Sequence, residues 1–246
     1  NRALQWVSEG GSQVGIPLAV SNRRKIREKV LWGAVAVLAV TAGFLGMSQI
    51  TRETPSPKVV RFSIAAASSL PSMTWPKISP DGNTVVFVGV DTNGQTGIYV
   101  RPLNALDAHL LVQVQSDASR PFWSPDSKQV AFFEAGQLKK VSIAGGLAQL
   151  ICESTGSDGS WGSSGIIIYD GNVTDSIRQV PASGGIPTAA SKIDRTRHET
   201  MNAWPCFLPD GEHFLFLAFT DSSSDTRVLK VGSIHTLESI TLTNVN

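Results

Sequence analysis

Two hydrophobic patterns divide this chain of 246 residues. Residues 30–50, VLWGAVAVLAVTAGFLGMSQI, are 21 positions without a charge, whereas everything after residue 51 breaks into short apolar runs separated by polar, glycine- and proline-bearing stretches. At ~1.5 Å per residue, a helix the length of the first run covers the ~30 Å hydrocarbon core of a bilayer. The pattern therefore predicts a stub over 1–29, one transmembrane helix over 30–50, a linker over 51–60 and an outer domain over 61–246. In the outer domain the apolar runs 84–88, 129–133, 166–169 and 213–217 are too short for helices and rich in β-branched and aromatic residues, so they predict strands. Their nearly continuous hydrophobicity predicts burial on both faces. Second strands follow at 97–100, 137–141, 176–180 and 227–231, and the turns at Ala144-Gly145-Gly146 and Ser183-Gly184-Gly185 lead into third strands.

Charge sets the expected orientation. The stub carries Arg2, Arg23, Arg24, Lys25, Arg27 and Lys29 against Glu9 and Glu28, while Arg52 and Lys58 stand beside Glu53 past the span. Basic residues stay inside, so the stub is expected in the cytoplasm and the outer domain beyond a bacterial inner membrane, a single-pass arrangement. A signal peptide with Arg23 to Lys29 as its basic region is the rival reading. It fits less well, because the apolar run exceeds the usual 7 to 15 residues and Gly46-Met47-Ser48-Gln49 lacks an Ala-x-Ala site.

The strands belong to a repeat. Trp75-Pro76-Lys77-Ile78-Ser79-Pro80-Asp81-Gly82 recurs as Pro121-Phe122-Trp123-Ser124-Pro125-Asp126-Ser127 and as Trp204-Pro205-Cys206-Phe207-Leu208-Pro209-Asp210-Gly211, with a worn copy at Ser160-Trp161-Gly162-Ser163-Ser164-Gly165. Aligning Ser79, Ser124, Gly162 and Leu208 gives spacings of 45, 38 and 46 residues, the length of a four-stranded propeller blade. In Ser-Pro-Asp-Gly the proline presets φ for a turn, the aspartate accepts from nearby backbone N–H groups, and the glycine tolerates the reversal. The prediction is an all-β fold, a β-propeller with about four blades present in an incomplete ring. Lys58 to Ile64 is the candidate closing strand.

This Trp-Pro-x-x-Ser-Pro-Asp-Gly pattern, with a following strand and a later Gly-Gly hairpin, resembles the WD40-like repeat in the β-propeller of the TolB family, over residues 59 to 246. The resemblance implies the fold and carries little about function, because propellers host binding, scaffolding and enzymatic roles alike. The stub adds a second likeness. Leu4 to Pro17, Asn22 to Lys29 and Trp32 are similar to the junction in bacterial transmembrane serine/threonine protein kinases, where the catalytic domain runs through a short linker into the membrane and a TolB-like propeller lies outside. That resemblance implies that the chain, which opens on Asn1 with a helical-looking Arg2 to Val7, is the C-terminal part of a kinase whose ATP and Mg belong to a domain before Asn1. The propeller would then be its extracytoplasmic sensor, binding a protein or small ligand and signalling through one helix. Two alternatives stay open: a membrane-tethered propeller scaffold without a kinase, and the outer domain of a membrane-bound winged-helix transcription regulator.

The remaining chemistry is thin. No Gly-rich loop precedes a strand lysine, and neither His-Arg-Asp nor Asp-Phe-Gly occurs, so these residues contain no phosphoryl-transfer site. Gly10 to Gly15 begins like a phosphate loop, yet Ile16-Pro17 stands where Lys-Ser/Thr is needed, which leaves a linker. His198-Glu199-Thr200-Met201-Asn202 lacks the second histidine of a zinc-protease helix, and no Gly-x-Ser-x-Gly elbow exists. Turn capping accounts for Asp81, Asp126 and Asp210 ahead of calcium. Recurrence of Trp75, Trp123, Trp161 and Trp204 at the blade period points to packing between blades rather than to an aromatic ligand rim. No catalytic, cofactor-binding or metal residue is assigned. A net charge of +1 gives no reason to invoke nucleic acid. Cys152 and Cys206 are read as two buried free thiols, with one bridge as the alternative. Within the span, Ala39 with Gly43 and Ala42 with Gly46 are small residues four apart that would let two copies of the helix approach as a homodimer.

Overall fold

The computed structural model describes residues 29–43, 70–116, 119–171, 175–221 and 227–245. The chain divides into two compact units, Asn1–Ser63 and Ile64–Asn246. In the first, residues 29–43 form a helix, and residues 44–50 of the predicted span lie outside the described residues, as does the candidate closing strand Lys58 to Ile64. Among the described residues no helix is long and apolar enough to cross a membrane.

The described residues of the second unit are all-β: sixteen strands in four antiparallel sheets of four, each sheet made of consecutive strands. The first holds β1 (Ser72–Ile78), β2 (Thr84–Val90), β3 (Thr96–Pro102) and β4 (His109–Gln113). The second holds β5 (Phe122–Trp123), β6 (Gln129–Glu134), β7 (Gln137–Ser142) and β8 (Gln149–Glu153). β9 (Gly159–Trp161), β10 (Ile166–Asp170), β11 (Ile177–Pro181) and β12 (Thr188–Ala189) make the third, and β13 (Glu199–Phe207), β14 (His213–Thr220), β15 (Arg227–Ser233) and β16 (Thr236–Val245) the fourth.

The sheets pack face to face, and the two-residue period of a strand explains why the second strands read as unbroken apolar runs. In β6, Val130 and Phe132 join Val86, Val88, Ile98 and Val100 in one seam. Their neighbours Ala131 and Phe133 point the other way, into a seam with Ile167 and Tyr169 of β10. Ile168 of β10 then meets Phe214 and Phe216 of β14 in a third. Each inner sheet is thus buried on both faces. The seams are close: a Cβ at Gly156 would come within 2.8 Å of the Phe133 ring and would also strike the Asp170 carbonyl.

The repeated turns are equivalent. Gly82 N–H donates to Ser79 O, Ser127 to Ser124, Gly165 to Gly162 and Gly211 to Leu208, each at 2.8–3.0 Å. The fourth residue takes a left-handed φ in all four, 73°, 60°, 79° and 71°, which glycine supplies freely at three of them and Ser127 adopts against its Cβ. Ser127 is held there in part because its Oγ accepts from Asp81 N–H at 3.1 Å, joining the first two sheets. The worn third copy keeps its turn without Pro-Asp, since Gly162 and Gly165 carry the reversal.

Asp81, Asp126 and Asp210 cap their turns, as expected. Asn83 and Lys128 donate backbone N–H bonds to the first two, and Glu212 and His213 to the third. Hydrogen bonding holds all three carboxyls below their ordinary range, led by Ser79 for Asp81 and Ser124 for Asp126. The Asp210 carboxyl is drawn down to about 2, first by the backbone N–H of His213. A carboxyl with a lowered folded-state value stabilises the fold above its unfolded value and loses that contribution as pH falls through the folded one. Thermal stability should therefore drop between about pH 4 and 2, and Asp210→Ala should flatten that drop in melting curves taken across the window. An unchanged profile in the variant would refute the assignment.

Candidate binding site where the four sheets converge

The Trp-Pro motifs themselves are strands. The sequence predicts strands after each turn, and the strand it leaves out is the first of each sheet: β1, β5, β9 and β13 run up to the turns that begin at Ser79, Ser124, Gly162 and Leu208. In β1 and β13 the register slips between Thr74 and Lys77 and between Ala203 and Cys206, with Trp75-Pro76 and Trp204-Pro205 in the two bulges. Proline lacks the N–H a ladder requires, so the pairing breaks there. Both tryptophans adopt a left-handed φ, 54° and 55°. For a bulky residue this costs roughly 1–3 kcal/mol, and a bulge of this kind re-aims a side chain.

The four recurring tryptophans do not share one place, which corrects the sequence expectation. Trp123 and Trp161 stand one residue before the aligned turn positions Ser124 and Gly162, and Trp75 and Trp204 stand four residues before Ser79 and Leu208. The first pair packs as expected: Trp123 is 7% exposed and its Nε1–H donates to Lys77 O at 2.9 Å, and Trp161 lies against the seam around Phe133 and Tyr169. The second pair is 41% and 40% exposed.

Counting back four residues from the other two turns gives Arg120 and Asp158. Trp75, Arg120, Asp158 and Trp204 are therefore repeat-equivalent, one from each copy of the repeat, and they meet. The Arg120 guanidinium carbon lies 4.0 Å from the Trp75 ring centre and 5.9 Å from that of Trp204, while its Nη1 is 3.7 Å from Asp158 Oδ2. Lys77, two residues after Trp75, donates to Asp158 Oδ1 at 2.8 Å from the first sheet to the third. The Trp204 and Phe219 rings meet edge to face with centres 5.5 Å apart, and the Arg227 guanidinium lies 5.9 Å from the Trp204 ring centre and 5.4 Å from that of Phe219. The result is a cluster of two part-exposed tryptophans and two guanidinium groups around one carboxylate, with the Arg120 and Asp158 side chains 22% and 16% exposed. Sequence reasoning missed it because three residue types, tryptophan twice, arginine and aspartate, occupy the equivalent position, and only alignment on the turns exposes the equivalence.

Other candidates resolve into structure. His198 caps a short 3₁₀ turn, Arg195–Arg197, with φ 57°, and Glu199 is buried against Lys230, so the half zinc motif assembles no ligand pair. Among the described residues no group of three metal-capable side chains occurs. Cys152 and Cys206 are both free; Cys152 is buried, with burial pushing its thiol above the ordinary range, but Cys206 is exposed, contrary to the expectation of two buried thiols. A cleft of about 370 Å³ between the second and third sheets is lined by the hydroxyls of Ser119 and Ser157. Those already bond to Phe133 O and to Asp170, whose carboxyl burial raises even against these bonds.

No family model matches the chain, and no curated protein matches it. Solved structures do. TolB from Acinetobacter baumannii superposes with a TM-score of 0.59 at 16% identity, over 71% of this chain and 44% of that one. A putative TolB from Agrobacterium tumefaciens gives 0.62 at 16% identity, over 74% and 69%, and a puromycin hydrolase gives 0.54 at 17%, over 72% and 30%. The chain thus spans less than half the length of the first of these. Identities this low carry the architecture and nothing finer. Four antiparallel sheets in this order, joined face to face, have the fold of the TolB-like β-propellers.

Proposed function

We propose that the sheet domain is an interaction propeller that binds a protein or small ligand through the surface around Trp75, Arg120, Asp158 and Trp204. The observation that carries this reading is the contrast inside the repeat. Trp123 and Trp161 pack into the seams beside their turns, whereas the equivalent positions four residues before the turns hold Trp75, Arg120, Asp158 and Trp204, with both of these tryptophans part-exposed and in left-handed backbone. Packing gives no reason for a half-exposed tryptophan to pay that strain twice, and ligand contact does.

In the fuller reading, the domain is the extracytoplasmic sensor of a membrane-anchored serine/threonine kinase. The likeness of the stub to kinase junctions, the uncharged run 30–50 and the TolB-like fold, in that order along the chain, support it. The helix over 30–50 would cross the inner membrane once with the stub in the cytoplasm, and a second copy would pair with it through Ala39 and Gly43. ATP and Mg would be held upstream of Asn1, since the 29 stub residues contain no aspartate to hold a metal or activate a hydroxyl.

The natural gene tests this directly. Reporter fusions after Lys58 should report an extracytoplasmic location, and the full natural chain should autophosphorylate while the 246-residue polypeptide does not. A cytoplasmic reporter signal would sink the membrane reading, and an upstream region without kinase motifs would leave the scaffold or the winged-helix regulator.

A further inference from the structure

We propose that the convergence surface recognises a carboxylate presented by an acidic protein segment, with Arg120 as its principal contact; this rests on the interaction reading above. Three cations, Lys77, Arg120 and Arg227, stand there with one described carboxylate, Asp158. That carboxylate is paired mainly with Lys77, which leaves an excess of positive charge: its Oδ1 accepts from Lys77 Nζ and from Gly159 N–H, both at 2.8 Å. Its Oδ2 stands 3.7 Å from Arg120 Nη1, beyond hydrogen-bond length. Trp75 covers one face of the Arg120 guanidinium and leaves the in-plane N–H fork, the edge that fits a carboxylate, unblocked by the stack. A second donor is stranded nearby: Arg227 Nε is buried and meets no hydrogen-bond acceptor.

The same facts argue against other occupants. An aromatic cage for a ligand cation needs empty aromatic faces, and here resident guanidinium groups lie over both tryptophans. The exposed parts of Trp75 and Trp204 offer flat apolar area for the chain flanking the acidic residue, which a free small acid would not use.

The test uses the full 246-residue chain purified in detergent and titrated calorimetrically. The probes are a terminally blocked glutamate-rich peptide carrying aromatic residues, its glutamine counterpart, a phosphoserine counterpart and free succinate. The glutamate peptide should bind most tightly, weaken by about 10- to 100-fold with Arg120→Gln, and weaken less with Arg120→Lys, which keeps the charge without the fork. Trp204→Ala should weaken it as well, with each variant's fold checked by its melting curve. Equal binding of the glutamine peptide, lost in Trp204→Ala, would overturn the carboxylate assignment and leave the interaction surface standing. Tighter binding of the phosphoserine peptide, or equal binding of succinate, would overturn the acidic-segment reading. If no probe binds, or binding ignores Arg120 and Trp204 alike, both readings fall.

Discussion

Trp123→Ala should destabilise the sheet domain by about 3–5 kcal/mol, whereas Trp204→Ala should cost about 1–2 kcal/mol, although the two residues look alike in the repeat. Trp123 fills the seam between the first two sheets with Val86, Val130 and Phe132, so truncation leaves a cavity that rigid strands on both sides cannot close. It also strands the Lys77 carbonyl, which loses the indole N–H it accepts. Trp204 keeps two fifths of its surface in water and meets Phe219 in an edge-to-face pair, so much of its area is not removed from solvent on folding. Denaturant midpoints of the two variants at equal slope separate these cases. Equal losses would mean that Trp204 is a packing residue after all, and the binding surface would lose its main support.

A comparable loss, about 3–5 kcal/mol, is expected for Lys230→Met. Lys230 and Glu199 are 4% and 1% exposed, and Lys230 Nζ meets Glu199 Oε1 inside the fourth sheet. Removing the ammonium leaves a buried carboxylate without its counter-charge, which costs far more than the pair itself contributes. Glu199 has a second duty, since its Oε2 accepts from Asp194 N–H at 2.9 Å and so fixes the start of the 3₁₀ turn. The double variant Glu199→Gln/Lys230→Met removes both charges while keeping an acceptor for that N–H. It should recover most of the stability lost in the single variant. A double variant as unstable as Lys230→Met alone would show that the ammonium acts through packing of its stem rather than through charge.

The architecture was legible because its signals are local and repeated. Ser-Pro-Asp-Gly specifies a turn by φ, by side-chain capping and by αL tolerance together, and the strand after it announces burial on both faces. The worn third copy stayed legible through Trp161 and Ile166 to Tyr169, whose burial pattern survives the loss of Pro-Asp. The first strands did not: in β1 and β13, Pro76 and Pro205 argue against a strand and only the bulges reconcile them with pairing, and β5 and β9 are just two and three residues long. The convergence surface was illegible for a different reason. Arg120 and Asp158 lie in loops with no motif of their own, and what makes them partners is distance through space from Trp75 and Trp204. The same applies to Glu199 and Lys230, 31 positions apart and joined only by the pairing of β13, β14 and β15.

The position four residues before each turn has a consequence for how such a domain changes over time. The side chains that hold neighbouring sheets together sit mostly on the second and third strands of each copy, while the contact surface takes one residue from each copy at one address. Exchanging tryptophan for arginine or aspartate at that address alters the surface and leaves the seam residues in place. Duplication of a copy supplies a new address already aimed at the same point. If the convergence surface binds as proposed, a scaffold of this design separates the residues that keep it folded from those that would choose its partner, so new specificities could arise by single substitutions with the seams intact.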